Sequence, residues 1–367
     1  MNWATKNLGD IVALQRGFDL AKSKRTPGPY PILSAGRQEG THVNAKIEGP
    51  GFAIGRATNL GKPQWSESDY WPLNTTLFAK DFKGNNPRWL FHLFEVLDLT
   101  GYDSGSVQPM LNRNYIEKVP VRVPPRNVQD SIVEVLGSLD DKIAANQQII
   151  GTAISLAESL VTRNLLTSEI RLGDVAQITM GTSPKGQYLK EEVGGLPFYQ
   201  GVRDFGALTP QRRVFTERPV REAEAGDILF AVRAPVGEVN IASEPTAIGR
   251  GLAAIRGRAN HVALFYLLRA HPEIWNPHQD TGTVFASINK TDLSNAHVPK
   301  IEIDQPQSDL LTALHNQALV HTNQNLVLAK TRDELLPLLM SGKITVKEAE
   351  QEATAAGADI ASEENKA

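Results

Sequence analysis

One feature constrains this chain more than any other: it is internally duplicated. Leu8-Gly9-Asp10-Ile11-Val12-Ala13 returns as Leu172-Gly173-Asp174-Val175-Ala176, and each copy reaches a glycine at the same distance, Gly17 and Gly181. Asn86-Pro87-Arg88-Trp89-Leu90-Phe91 parallels Asn260-His261-Val262-Ala263-Leu264-Phe265. Gly105-Ser106-Val107 parallels Gly282-Thr283-Val284, and Leu111-Asn112 parallels Ile288-Asn289. The offset grows from 164 to between 174 and 177, so the second copy carries about a dozen extra residues near its beginning. A period this long excludes a solenoid and requires two related globular domains. A length of 367 residues suits two domains.

Each half opens with short β-favouring runs broken by turns, such as Phe52-Ala53-Ile54 and Ile228-Leu229-Phe230-Ala231-Val232. One helix follows. Asn86 caps it in the first half, with Pro87 at the first helical position; Asn260 takes the capping place in the second, and Pro272 stops that helix. A strand-like segment then closes each domain, Val119 to Val123 and Val298 to Ile303. Beyond Pro124-Pro125 the chain has no proline until Pro184. Ile132, Leu136, Leu139, Ile143, Asn146, Ile150, Ala153, Ala157 and Leu160 recur at steps of four and three, a coiled-coil period with one polar member. Such a helix would be about 55 Å long. A second helix after Pro306 repeats the pattern more weakly through Leu311, Leu314, Ala318, His321, Asn325, Leu328, Arg332 and Leu335, and Pro337 is expected to kink or end it.

The expected architecture is therefore α/β (α+β): two similar mixed domains joined by two long antiparallel coiled-coil helices with pseudo-two-fold symmetry. The expected boundaries are 1–123 and 168–304 for the domains, 124–167 for the central helix, 305–343 for the C-terminal helix and 344–367 for an acidic, disordered tail. Two long helices that each pack on their own domain are the alternative.

Composition removes whole classes of chemistry. The absence of cysteine excludes a disulfide scaffold, Cys-ligated zinc, iron–sulfur clusters and thiol catalysis. The net charge of −3 hides an uneven distribution: residues 348–367 carry −5, which leaves +2 on the body. A nucleic-acid surface must therefore be local. No apolar run approaches the roughly 20 residues of a membrane span, and the N-terminus lacks a signal-peptide layout, so the expected location is cytoplasmic. There is no P-loop, no His-Glu-x-x-His helix, no Gly-x-Ser-x-Gly elbow and no Asn/Asp-Pro-Pro-Tyr/Phe loop. Gly49 to Gly55 has the wrong spacing for a dinucleotide loop. Asp140-Asp141-Lys142 is expected on the solvated face of the central helix. With no catalytic constellation, the chain reads as a binder.

The positive signal is polar, basic and loop-borne. Arg, Gln and Asn can pair bidentately with guanine or adenine edges, and Lys and Arg hold phosphates. The first half offers Arg16, Lys24, Arg25, Arg37, Arg56, Asn59, Lys62, Gln108, Asn112 and Arg113. The second offers Lys185, Gln187, Tyr188, Gln200, Arg203, Arg212, Arg233, Arg250, Arg256, Asn289 and Lys290. Scattered surface cations are common, so no single residue here stands on sequence alone.

Taken together these motifs resemble the specificity subunit of Type I restriction–modification systems, over Leu8 to about Lys343. The strings that carry the resemblance are the paired Leu-Gly-Asp openings, the Gly105-Ser106-Val107-Gln108 loop, the run from Gln129 to Asn146 containing Leu139-Asp140-Asp141-Lys142-Ile143, and Leu335-Leu336-Pro337-Leu338-Leu339-Met340-Ser341-Gly342-Lys343-Ile344. The resemblance implies a non-catalytic DNA reader. It implies two target-recognition domains, each for one half of a split site in double-stranded DNA, and helices that set the spacer and dock two modification (methyltransferase) subunits. S-adenosylmethionine would belong to that partner, and ATP and Mg to the restriction (motor–nuclease) subunits. A methylation-only or Type II-like system is a close alternative. A coiled-coil adaptor without DNA readout, and a nuclease using Asp140 or Glu134, are the distant ones.

Overall fold

The computed structural model describes residues 3–57, 59–104, 110–279 and 287–360. The chain divides into two units, Met1–Ile143 with Val327–Ala367, and Ala144–Leu326. The divisions fall inside both long helices, so each unit owns a segment of each.

The first unit holds a four-stranded antiparallel sheet in the order Ala13–Arg16, Thr76–Asp81, Gly51–Gly55, Pro63–Ser66. A three-stranded sheet lies in the order Arg37–His42, Tyr30–Ser34, Trp71–Pro72, its last pair parallel. Ala4–Asn7 pairs antiparallel with Pro120–Val123. The second unit repeats this plan. Its four-stranded sheet runs Ala176–Met180, Leu252–Gly257, Ile228–Ala231, Val239–Ile241. Its second sheet again contains one parallel pair, Leu196–Tyr199 with Thr246–Ile248, and Leu165–Arg171 pairs with His297–Ile301.

A ten-residue helix packs on the four-stranded sheet in each unit. Pro87–Val96 starts where predicted: the Asn86 side chain accepts from the N–H groups of Arg88 (2.8 Å) and Trp89 (3.1 Å). His261–Ala270 starts differently. Asn260 has φ +49 and makes no side-chain cap bond; instead, His261 Nδ1 accepts from Gly257 N–H at 2.9 Å. Trp89, Leu90 and Phe94 in one helix, and Phe265, Tyr266 and Leu268 in the other, fill the two cores.

The central helix spans Arg126–Arg163 and the second long helix spans Gln305–Ser341. In the first unit, Ile132, Leu136 and Leu139 share a core with Leu328, Leu335 and Leu339, and Ile143 packs against its edge. In the second unit, Ile150, Ala153 and Ala157 do so with Leu311 and Ala318, and Leu314 packs alongside. The pairing there is antiparallel: Asn146 meets Asn325 at one end, and Asn164 meets Gln307 at the other. Of the heptad positions, Ile132, Leu136, Leu139, Asn146, Ile150, Leu311, Leu328 and Leu335 are buried, and Ile143 and Leu314 are partly so.

Three expectations are corrected. Of the two outcomes expected at Pro337, ending the helix is excluded, since the helix continues to Ser341. Asp140 is only partly solvated: about one-third exposed, it bonds Arg332 at 2.8 Å and lies 3.9 Å from Arg88, while Asp141 is exposed as expected. The segment read as a disordered tail contains a helix, Val346–Ala355, closed at its start by a capping box between Thr345 and Glu348. Ala349 and Ala353 are fully buried in the first unit's core, and Asp359 bonds Lys142 at 3.0 Å. Small alanines on one face let that helix pack closely, while its acids stay outside, which is what the composition alone disguised.

Candidate nucleic-acid interface

The duplication reaches down to individual backbone hydrogen bonds. Gly17 N–H donates to Thr76 O, as Gly181 N–H does to Leu252 O. The same correspondence links Phe18→Pro72 with Thr182→Ile248, Leu73→Leu33 with Gly249→Tyr199, and Thr76→Leu73 with Leu252→Gly249. It also links Arg56→Thr75 with Val232→Gly251, and Leu111→Arg56 with Ile288→Val232. All lie between 2.8 and 3.1 Å. The two leading glycines are required by this frame. A Cβ on Gly17 would lie 2.2 Å from Leu73 O, and one on Gly181 would lie 2.2 Å from Gly249 O.

The frame aligns positions that sequence comparison did not. The shared glycines are offset by 164, but the residues that bond them are offset by 176. Most of the extra residues therefore lie between Gln200 and Val232. Arg56 corresponds to Val232, so Arg233 corresponds to Ala57. Arg250 corresponds to Asn74, and Gln200 to Ser34.

Several candidates serve their own fold. Arg25 is clamped by Leu20 O and the Glu39 carboxylate (3.1 Å), and Arg37 bonds the same carboxylate at 2.9 Å. These hydrogen bonds, Arg37 foremost, hold Glu39 below the usual carboxylate range. The Asn59 amide donates to Ala35 O at 2.8 Å. Asn112 and Asn289 cap short helices, accepting from Asn114 N–H and Asp292 N–H. Arg113 pairs with Glu117 (3.5 Å) and Arg212 with Glu244 (2.5 Å). The Tyr188 hydroxyl accepts from Arg218, whose guanidinium also lies 4.7 Å from the ring centre. Arg256 holds Asp227 with two hydrogen bonds, 2.6 and 2.9 Å. Gln108, like the Gly105 and Gly282 motifs, lies outside the described residues.

The remainder face outward. Arg16, Lys24, Lys62, Lys185, Gln187, Arg203, Arg233, Arg250 and Lys290 are exposed, and Arg56 is half-buried. None of these side chains has a hydrogen bond or ion pair among the described residues. The second unit gathers its members. Ser183 Oγ accepts from Arg250 N–H (3.2 Å) and donates to Gln200 Oε1 (2.7 Å), and Val232, next to Arg233, bonds Gly251. Gln200 and Arg203 line a cleft of about 690 Å3 with Phe198, Asp204 and Arg213. In the first unit Arg56, Asn59 and Lys62 lie between two strands, and the Asn59–Ala35 bond ties them to the turn before Arg37. Gln200 was legible as a donor-bearing loop residue, whereas Ser34, Ala57 and Asn74 carried no signal until the frame paired them. Among the described residues no group of three or more His, Asp or Glu could hold a metal ion, and no helix is long and apolar enough to cross a membrane.

The family model for the type I restriction modification DNA specificity domain matches residues 1–152 and 167–329. A Methanocaldococcus jannaschii chain bearing the name of the MjaX type I restriction enzyme specificity subunit is 28% identical over 270 residues, which are 65% of this chain and 63% of that protein. The MjaIX specificity subunit of the same organism is 23% identical over 307 residues, 71% of this chain and 69% of that one. The match therefore spans less than two thirds of the first relative's length. The crystal structure of the S subunit of a Type I restriction–modification system from M. genitalium superposes with a TM-score of 0.66 at 16% identity, over 92% of this chain and 96% of that one, and supports the fold. Two copies of one sheet-and-helix plan, a long helix that joins them in the chain and a family match across both copies agree: this chain belongs to the type I restriction–modification DNA specificity family.

Proposed function

We propose that this chain is the non-catalytic DNA-recognition subunit of a Type I restriction–modification complex. Each unit reads one half of a bipartite site in double-stranded DNA, and the paired helices set the spacer and dock two modification subunits. S-adenosylmethionine belongs to those partners, and ATP with Mg to the restriction subunits. One observation carries the reading. Two units share a backbone frame to within a few tenths of an ångström in its hydrogen bonds, yet project different polar side chains from it. A duplicated catalytic site would keep its side chains alike; a pair of readers for an asymmetric site must not.

The test is a genome-wide map of adenine methylation with and without this gene, its modification partner intact. The expected result is a split motif whose methylation disappears with this chain. Unchanged methylation would favour an adaptor without DNA readout. A methylation-only or Type II-like system would give the same map without ATP-dependent cleavage. Affinity of the purified complex for the motif should fall steeply with salt, because phosphate contacts release counterions.

A further inference from the structure

We infer that Gln200, Arg233 and Arg250 are the base-reading side chains of the second unit, and that the half-site they read is guanine-bearing. The inference rests on the proposed DNA-reading function and goes beyond it in naming the readers and the base.

The three flank one turn, which carries Arg250. Arg250 lies between Gly249 and Gly251, and Gly251 passes so close to Gln200 that a Cβ there would lie 2.3 Å from the Gln200 carbonyl oxygen. Gly251 O also accepts from Val232 N–H, which places Arg233 beside the turn. Each of the three side chains is exposed. Their chemistry is one-sided. Gln200 Oε1 accepts from the Ser183 hydroxyl, and its N–H2 has no hydrogen bond among the described residues. Two guanidinium groups add only donors. A constellation dominated by two guanidinium forks fits the O6 and N7 edge of guanine, the commonest bidentate partner of Arg, and one of the two lone pairs of Gln200 Oε1 is already used by Ser183.

The first unit's frame positions are silent by comparison. Ser34 is buried with its hydroxyl 3.5 Å from that of Thr75, Ala57 is apolar, and the Asn74 amide donates to the Asp19 carboxylate. At these positions the same scaffold thus carries two exposed guanidinium groups in one unit and none in the other, so substitutions on the triad should disturb one half-site only.

The experiment uses the full chain in complex with its modification subunits and the duplex read from the wild-type methylation map. Arg250→Ala and Arg233→Ala should each weaken binding about tenfold or more. Discrimination against a replaced guanine should fall in one half-site and stay intact in the other. Arg250→Lys keeps the charge but loses the planar fork. It should therefore keep complex assembly and the salt dependence while losing guanine discrimination. Three results would overturn the assignment: a wild-type motif without guanine in the half-site that the variants disturb, variants with undiminished discrimination, or equal loss at both halves. Absence of any split motif dependent on the wild-type chain would instead overturn the DNA-reading function itself, and the two failures are distinct.

Discussion

His315 shows how a single side chain couples this fold to pH. It is buried beside Phe265 and Tyr266, with Nδ1 3.3 Å from the Tyr266 hydroxyl. Burial, helped by His261, pulls its pKa down from 6.5 to about 4. The folded state therefore holds the neutral ring while the unfolded chain takes up a proton below pH 6.5. The resulting stability is present above about pH 6.5 and is lost progressively as pH falls towards 4, by at most about 3 kcal/mol. Denaturation followed from pH 7.5 to 4.5 should lose stability more steeply in the wild type than in His315→Phe; parallel slopes would refute this. The frame glycines act at the same scale. Gly17→Ala and Gly181→Ala force a Cβ against backbone oxygens, and each should cost about 1–3 kcal/mol. Gly137→Ala, which meets nothing within 4 Å in the central helix, should instead stabilise by up to about 1 kcal/mol.

Between elements, the seam of the long helices matters because two of the three polar members on the second helix are matched across it. His321, Asn325 and Arg332 weakened the heptad pattern as read from one helix alone. The packed pair gives two of them partners: Asn146 Nδ2 donates to Asn325 Oδ1 (2.9 Å) and Gln324 Oε1 (3.0 Å), and Arg332 bonds Asp140. A buried polar pairing of this kind penalises any shifted register, since a slip would set an amide against Leu or Ile. A double-mutant cycle on Asp140→Ala and Arg332→Ala should give a coupling of about 1 kcal/mol that shrinks in high salt, as both groups are about one-third exposed. A coupling near zero would mean the pair is incidental. The helix Val346–Ala355 is a second test at this scale. Ending the chain after Gly342 removes Ala349 and Ala353 from the first unit's core and the Asp359–Lys142 pair with them. The truncated chain should melt several degrees lower, whereas an idle tail would leave the melting temperature unchanged.

At the scale of the whole molecule, the two units are variations on one plan, and the proposed function uses both the sameness and the difference. Lengthening the long helices by whole heptads should change the gap between half-sites in the methylation map and leave the half-site sequences as they were. A changed half-site would break the ruler idea.

Much of this was written in the chain. Repetition located two domains, because a duplicated core demands the same apolar spacing twice. Heptad periodicity located the helices and their buried seam, because a face hidden from water must recur every three or four residues. Asn86, Pro87 and Pro272 marked helix ends through local sterics and capping. What only the tertiary structure decided was pairing across distance. Asp140 was read as solvated until Arg332 arrived from 192 residues away. Residues 346–355 were read as disordered because their few alanines gain a reason to order only against a core built elsewhere. Arg25 and Arg256 were candidate readers until Glu39 and Asp227 neutralised them, while Arg250 gained its meaning from the turn that holds it beside Gln200 and Arg233. Local pattern reports what a residue does to its own backbone. Whether its charge is spent inside the fold or offered to a partner depends on which atoms folding brings within about 3 Å of it.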